Sequence, residues 1–428
     1  MNKLWTRIFL ILAAMALLLF FSNDFGLIGI QETAIVVAIG IDMPDDGEGY
    51  DVTAQIAVPA ASGKNSAGNV TVRNAATVGD AVAVMNQETG WYPTLVHCKL
   101  VLLGEETANE DVFNILDYFF RNDSVEDSCL VAVCSGRADE TFRAQSPIKD
   151  ISASAITKVL SSQAQKTGLV SVNILKNFAQ GYYSVSESSF LPYITAKSEA
   201  DSQGGDGGET QTFAECFSPF IKRNKRWRWK MNPLPLTAAA ADSKNSSGNG
   251  QKSDQNADIF QASETMLFYR GRRAAILSPE ETLAFNLAEA KTDFAYGNVT
   301  VNEDGQDVTY DLKMKIDQKK QKLTFQEGKP VFSFRIRANA RVVDADRASP
   351  ILDVAKTQIV KETILRAAEE KFRERLLSVC EKTAETGCDL FGLKQKLYRF
   401  CYGQYAAFRD TILQEAEIKF DIRFTSAK

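Results

Sequence analysis

Histidine is almost missing from this chain, with His97 alone among 428 residues. A single imidazole excludes multi-histidine metal centres and leaves one candidate base for nucleophilic catalysis. That base sits in the apolar run from Leu95 to Gly104, which reads as a buried strand, so the sequence favours a hydrogen-bonded core or interdomain histidine. Cysteine is sparse and unpatterned. Cys98, Cys129, Cys134, Cys216, Cys380, Cys388 and Cys401 include no CxxC pair, so a zinc ribbon or thioredoxin-type site lacks its ligands. They read mostly as small buried apolar residues, and their odd number leaves at least one thiol free per chain. There is no GxSxG elbow, no GxGxxG loop after a strand and no GxxxxGK[ST] loop. Excess positive charge is absent too, since a net charge of −5 gives no general attraction for nucleic acid or anionic lipid. The expectation is a non-enzymatic protein without metal or cofactor.

What is present starts at the N-terminus. Lys3 and Arg7 precede an unbroken apolar run from Ile8 to Phe21, and Asp24 and Glu32 follow. That charge order keeps the N-terminus in the cytoplasm and places the rest outside it. The run spans roughly 21 Å as a helix, short of a hydrocarbon core of roughly 30 Å, and Leu4, Trp5 and Phe25 to Ile28 extend it. The one clean small-residue pair, Ala14 and Ala16, lies inside the apolar run, and the first cysteine, Cys98, comes too late for a lipobox. Residues 1–30 are therefore read as an uncleaved single-span anchor in preference to a cleaved signal peptide.

The exported part is too long for one core, so two to three domains are expected. In region 31–196, Ala34 to Ile41 and Tyr50 to Val58 read as a hairpin, Ser62 to Asn69 as a polar loop, and Val78 to Gln87 as a helix. A strand around His97, a helix over Asn109 to Phe120 and a strand over Cys129 to Cys134 follow. The order indicates a mixed α/β (α+β) arrangement, with mixed sheets flanked by helices. Ile151 to Gln180 reads as mostly helical, and Tyr182 to Ile194 as a closing strand.

Residues 197–258 change character. Two glycine- and serine-rich stretches flank an island in which Trp227 and Trp229 interleave with Lys222, Arg223, Lys225, Arg226, Arg228 and Lys230. It reads as a twisted edge strand with inward tryptophans, or as a membrane-surface contact; an extracytoplasmic address argues against nucleic acid.

Region 259–428 reads as a second α/β domain. Glu264 to Tyr269 and Arg273 to Leu277 form a hairpin, and Ser278-Pro279-Glu280-Glu281 opens a helix with an N-cap, a proline and acids in the first turn. Strands are expected at Asn298 to Val301, Thr309 to Ile316, Lys322 to Phe325 and Val331 to Val342. A long helix near 351–386 carries a stripe of Val360, Ile364, Ala368, Phe372, Leu376 and Val379 until Gly387 stops it. A further helix over Lys394 to Phe408 and a strand over Glu417 to Phe424 complete it. Arg121, Asn122 and Asp123 at a helix end, Asp389 and Gly392 at the long helix's stop, and Trp227 and Trp229 are candidate partner contacts; the first five are equally explained as caps or turns.

These segments, in order, resemble the C-subunit family of bacterial spore germinant receptors, the Ger(x)C proteins. The likeness rests on Glu32 to Asp42 with Tyr50 to Ile56, on His97 to Glu106 with Ile115 to Asp123, on Met266 to Arg272, on Leu277 to Thr282 and on Gly387 to Gly392. Each piece is weakly specific, but their collinear order is not. The resemblance implies a three-domain α/β protein on the outer face of the spore's inner membrane, acting beside integral-membrane A- and B-type subunits in a receptor for small-molecule germinants. It implies no catalytic residue. Two departures stand out: the family's usual lipobox cysteine is absent, and 198–258 looks like an insertion. The expected role is an accessory subunit in germinant sensing, signal transduction and complex assembly. A solute-binding protein that captures a small ligand directly is the alternative, and a cell-wall hydrolase lacks its motifs.

Overall fold

The computed structural model describes residues 2–22, 32–45, 48–58, 66–144, 151–198, 258–289, 292–303, 305–346 and 359–426. The N-terminal apolar segment is a helix, α1 (Asn2–Ser22), with Trp5, Phe9 and Leu18 exposed. No helix among the described residues is long and apolar enough to cross a membrane.

The first sheet begins with β1 (Thr33–Asp42), β2 (Tyr50–Val58) and β3 (Ser66–Ala75) as an antiparallel meander. The start of β3 overlaps the stretch expected as a polar loop. Its polar residues pair across the strands, Thr53 with Thr71 at 2.9 Å and Gln55 with Asn69 at 3.0 Å, so cross-strand hydrogen bonds replace the missing apolar alternation. Then come α2 (Val78–Thr89), β4 (Tyr92–Thr94), β5 (Leu100–Leu103), α3 (Val112–Arg121) and β6 (Leu130–Cys134). The helices α4 (Ala138–Arg143), α5 (Ser152–Val159), α6 (Ser162–Gln165) and α7 (Leu175–Tyr182) lead to β7 (Ser188–Ser198), followed by β8 (Asp258–Tyr269) and β9 (Arg272–Leu277).

The strand order is β3-β2-β1-β5-β6-β7-β8-β9, with β4 beside β1. The centre is parallel, from β1 through β5 and β6 to β7, and both margins are antiparallel. Parallel strands are covered on both faces, which is why Leu100, Val101, Leu102 and Leu103 are all fully buried. One face packs Val78, Met85, Ile115, Leu116 and Phe178, and the other packs Ala138, Phe142, Ala153 and Ile156.

The strand expected around His97 is a correction. β4 pairs with Thr33 to Ile35 and β5 with Ala38 to Ile41, while β1 carries a bulge between Val36 and Ala38. The chain passes that bulge in a turn closed by Cys98 N–H on the Leu95 carbonyl at 2.9 Å, and His97 sits exposed in it. Cys98, Cys129, Cys134, Cys380 and Cys388 are free and buried, Cys401 is free and half-buried, and Cys216 lies outside the described residues.

The second sheet follows α8 (Pro279–Glu289) and contains β10 (Phe294–Glu303), β11 (Gln306–Gln326) and β12 (Lys329–Ala345) as an antiparallel meander. The chain returns through α9 (Glu362–Thr386), α10 (Leu393–Phe400), α11 (Tyr402–Phe408) and α12 (Ile412–Glu415) to β13 (Glu417–Ser426), parallel to β12. The two short strands expected within 309–325 are one long strand. A bulge between Ile316 and Gln318 absorbs the break in alternation, so the lysine-rich stretch stays paired to β12. The long helix starts at Glu362, later than the expected 351; residues 347–358 lie outside the described ones, and buried Val360 precedes the helix, its amide donating to Ser426 Oγ at 2.9 Å. The core here joins α8 and α9 to Val308, Tyr310, Phe332 and Phe334. β8 and β9, expected with the C-terminal region, pair into the first sheet, and α8 follows β9 directly.

Candidate functional site

The most elaborate chemistry lies where the two sheets' units meet. Gly387 ends α9 in the left-handed conformation, at φ 71°, which favours glycine. The next two residues turn inward and are buried. The Asp389 carboxylate accepts from Ser186 Oγ at 2.6 Å, from Leu393 N–H at 2.7 Å and from Lys394 N–H at 2.8 Å. Its own amide donates to Ser188 Oγ at 2.9 Å, and the Cys388 thiol donates to the Phe268 carbonyl at 3.3 Å. One aspartate thus caps the start of α10 and fastens the second unit to the segment that opens β7.

Two further ties run along the same seam. Glu281 is buried, yet accepts from Lys382 Nζ at 2.6 Å, Ser378 Oγ at 2.6 Å and the Ser278 amide at 2.8 Å, while Lys382 also donates to the Ile276 carbonyl in β9 at 3.1 Å. Burial pushes this carboxyl up, but Lys382, Ser378 and the Ser278 amide outweigh it and hold it below the ordinary glutamate value. The Ser278–Glu281 pair is also a capping box, since the Glu281 amide donates back to Ser278 Oγ at 3.3 Å. Deeper in, Ser171 Oγ meets Thr265 Oγ1 at 2.7 Å and Asn286 Oδ1 at 3.2 Å, and Asn286 donates to the Gly168 carbonyl at 3.0 Å. These buried polar groups are hydrogen-bonded, as an interior requires.

A second charged knot closes the carboxyl ends of the parallel strands. Asp42 accepts the amides of Ala138 at 2.7 Å and Asp139 at 3.0 Å at the start of α4. Burial outweighs these bonds and the nearby Arg137, and its carboxyl is pushed up to about 6. Gly104 is required beside it, because a Cβ there would stand 2.2 Å from Asp42 Oδ1. Arg137 binds Asp51 at 2.6 Å, Asp139 at 3.1 Å and the Met43 carbonyl at 3.1 Å. Glu105 takes the Tyr193 hydroxyl at 2.8 Å and Arg273 at 3.2 Å, and burial pushes Tyr193 up to about 12. Arg73 and Arg143 add a second cation at Asp51 and at Asp139, 3.4 and 3.1 Å away; among the described residues no cluster of three or more His, Cys, Asp or Glu is placed to hold a metal ion.

Of the residues singled out from sequence, Arg121 is exposed and paired with Asp117, and Asp123 is exposed. Asn122 is half-buried; its Nδ2 donates to Tyr118 Oη at 3.1 Å and its Oδ1 accepts the Ser124 amide at 3.0 Å, so it shapes the turn. Asp389 is buried in the seam, and Gly392 holds φ 62° at the start of α10. No hydrogen bond or ion pair among the described residues joins the Arg121–Asp123 turn to Asp389 or Gly392. Trp227 and Trp229 lie outside the described residues. Ser186, Lys382 and the Asp42–Arg137 knot were not singled out from sequence. The N-cap at Ser278 and the acids after it were legible, but the reach of Glu281 to Lys382, about a hundred residues on, had no local signal.

Fold and seam together define a mixed α+β protein of two sheet-based units tied by buried polar contacts. A family profile described as "Spore germination protein N-terminal domain" matches residues 28–196, and one described as "Spore germination B3/GerAC like, C-terminal" matches residues 263–426. The chain belongs to the GerAC-type family of spore germination proteins. A solved crystal structure of the GerBC protein is similar to it at 16% identity, with a TM-score of 0.47, covering 90% of this chain and 96% of that one. No curated protein matches.

Proposed function

We propose that this chain is a non-enzymatic subunit of a spore germinant receptor, held at the membrane on its extracytoplasmic side, that passes a signal by contact with integral-membrane A- and B-type subunits. Family membership supports the germination role. The observation that carries the relay is the seam. Cys388 and Asp389 at the end of α9 hold the other unit through Ser186 Oγ, Ser188 Oγ and the Phe268 carbonyl, so a displacement of α9 against the first sheet breaks several bonds together. A contact device needs that coupling, because slack between its halves would dissipate the signal. The anchor is supported by α1, whose exposed Trp5, Phe9 and Leu18 form an apolar surface that water disfavours and lipid or partner helices would cover. The exposed Arg121 and Asp123, and the Trp227–Trp229 island, are the proposed contact points for partners or headgroups.

The test is made in spores of the native host, comparing the intact chain with one lacking residues 2–22. The expected result is that the shortened protein leaves the membrane fraction, no longer co-purifies with polytopic receptor subunits, and germination in response to the cognate small molecule slows at least tenfold. A chain whose complete removal leaves every germinant response unchanged would overturn the proposal.

A further inference from the structure

A cleft with a volume of about 490 Å³ opens between the two units, outside both polar knots. Its apolar wall is made by Leu169, Leu283, Met314, Val343 and Phe372. Leu169 belongs to the first unit, in the loop tied to α8 and β8 through the Gly168 carbonyl and Ser171. The volume is that of a small-molecule site.

The polar groups of the cleft are sorted by charge. Glu280 is already paired with Lys371 at 3.1 Å and Arg375 at 2.6 Å, and Lys371 also donates to Asn298 Oδ1 at 2.9 Å, so that side is internally satisfied. Lys313 lies over the Phe294 and Tyr296 rings, 4.5 and 5.3 Å from their centroids. Three charged lining side chains, Asp311, Lys313 and Arg341, have no hydrogen bond or ion pair among the described residues. They are near neighbours in the sheet: Lys313 of β11 stands opposite Arg341 of β12, and Asp311 stands opposite Asp344. One end of the lining therefore carries the negative Asp311, with Asp344 opposite it in the sheet, and the other carries the positive Arg341 and Lys313. Half-burial, with Asp344 and Asp346 close by, pushes the Asp311 carboxyl up, a penalty that an incoming cation would relieve.

We infer that this cleft binds a small amphipathic zwitterion, its cationic group on Asp311, its anionic group on Arg341 with Lys313 beside it, and its apolar body against Leu169, Leu283 and Phe372. Neither charge alone satisfies the pair, because a simple cation leaves Arg341 unmatched and a simple anion leaves Asp311 unmatched. A ligand carrying both gains two charge-assisted hydrogen bonds, one to half-buried Asp311 and one to exposed Arg341 at the rim. This inference goes beyond the receptor proposal and does not rest on it.

Three probes with one apolar body test it: L-phenylalanine carries both charges, phenethylamine only the cation, and 3-phenylpropionate only the anion. Binding is measured calorimetrically on the full chain in lipid nanodiscs. The expected result is that L-phenylalanine binds at least tenfold tighter than either analogue. Asp311→Asn should cost it about tenfold and leave 3-phenylpropionate unchanged; Arg341→Gln should do the reverse for phenethylamine. Leu283→Trp, which fills the cleft, should weaken all three, with circular dichroism checking that each variant is folded. The inference is overturned if no probe binds, if the three bind alike, or if L-phenylalanine binding survives both charge substitutions. None of those results touches the germination test, which reads membrane retention and spore response.

Discussion

Replacing Asp389 by alanine is the most exacting perturbation of this structure. The substitution strips an ionised acceptor from three donors, Ser186 Oγ, Leu393 N–H and Lys394 N–H. A hydrogen bond to a charged group contributes about 1.5–3 kcal/mol, and a buried donor left without a partner costs about 1–3 kcal/mol. The losses do not add fully. Ser186 can rotate its hydroxyl, and Lys394 is only half-buried, so water reaches its amide; Leu393 is buried and keeps the whole penalty. The net expectation is about 3 kcal/mol of destabilisation, near the middle of the range for breaking a buried network. Asp389→Asn should cost less, about 1–2 kcal/mol, because its carbonyl oxygen still takes Leu393 N–H while its amide nitrogen opposes Lys394 N–H. Guanidinium denaturation followed by fluorescence and by circular dichroism gives both the midpoint and the shape. Weakening the seam should also split one cooperative transition into two, because the sheets then unfold separately. An alanine variant within about 0.5 kcal/mol of the parent, melting in one step, refutes the reasoning.

Gly104→Ala should lower stability by at least about 2 kcal/mol, since the new methyl collides with Asp42 and one of them must move; a denaturation midpoint equal to the parent's would contradict the packing. Lys382→Met leaves Glu281 charged and buried without its main partner and should cost about 3–5 kcal/mol, whereas the double change Lys382→Met with Glu281→Leu should recover part of that loss in the same assay. Stability should also carry a signature of Asp42. Its folded value, about 6, lies above the ordinary 3.8, so its contribution is complete below 3.8 and is lost as pH rises through 6, by up to about 3 kcal/mol. Asp42→Asn should flatten that part of the profile, and a stability difference between variant and parent that stays constant from pH 4 to 7 would show that the carboxyl titrates normally. Glu281 has the opposite sign: held below 4.5, it stabilises above that value, and the benefit fades as pH falls, so the cost of Glu281→Gln should shrink towards pH 3.

Much of the architecture was written locally. The β1–β2 hairpin, the helices α2, α3 and α8 with their caps, and the stop at Gly387 each follow from apolar spacing and a capping residue within a few positions. What failed to read locally depended on pairing at a distance. β3 has little apolar alternation and is held by β2 through Thr71 and Asn69. His97 looked like part of a strand because its neighbours are apolar, but β1's bulge displaces the register and turns the imidazole out. The lysine-rich middle of β11 reads as a loop in isolation, and only its partner strand keeps it extended. The candidate contacts show the same division. Asn122 and Gly392 occupy the turn and cap positions their residue types favour, while the burial of Asp389 depends on Ser186 and Ser188, some two hundred positions earlier.

The arrangement of the seam bears on how the two units would move. The second unit is not hung from the first by a single linker, because β9 runs straight into α8, and α8 packs against α9. Asp389, Lys382 and Asn286 then tie α10, α9 and α8 respectively to the segment opening β7, to the Ile276 carbonyl of β9 and to the Gly168 carbonyl. Rotation about any one tie must stretch the other two, and a hydrogen bond stretched well past 3 Å is lost, not merely weakened in proportion. Such an interface tends to hold or to release as a whole, which is the behaviour of a bistable element and not of a soft hinge. The cleft borders the loop that carries one of these ties, with Leu169 next to Gly168. A molecule bound there with different affinities for the held and released arrangements would bias one against the other by that difference and by no more.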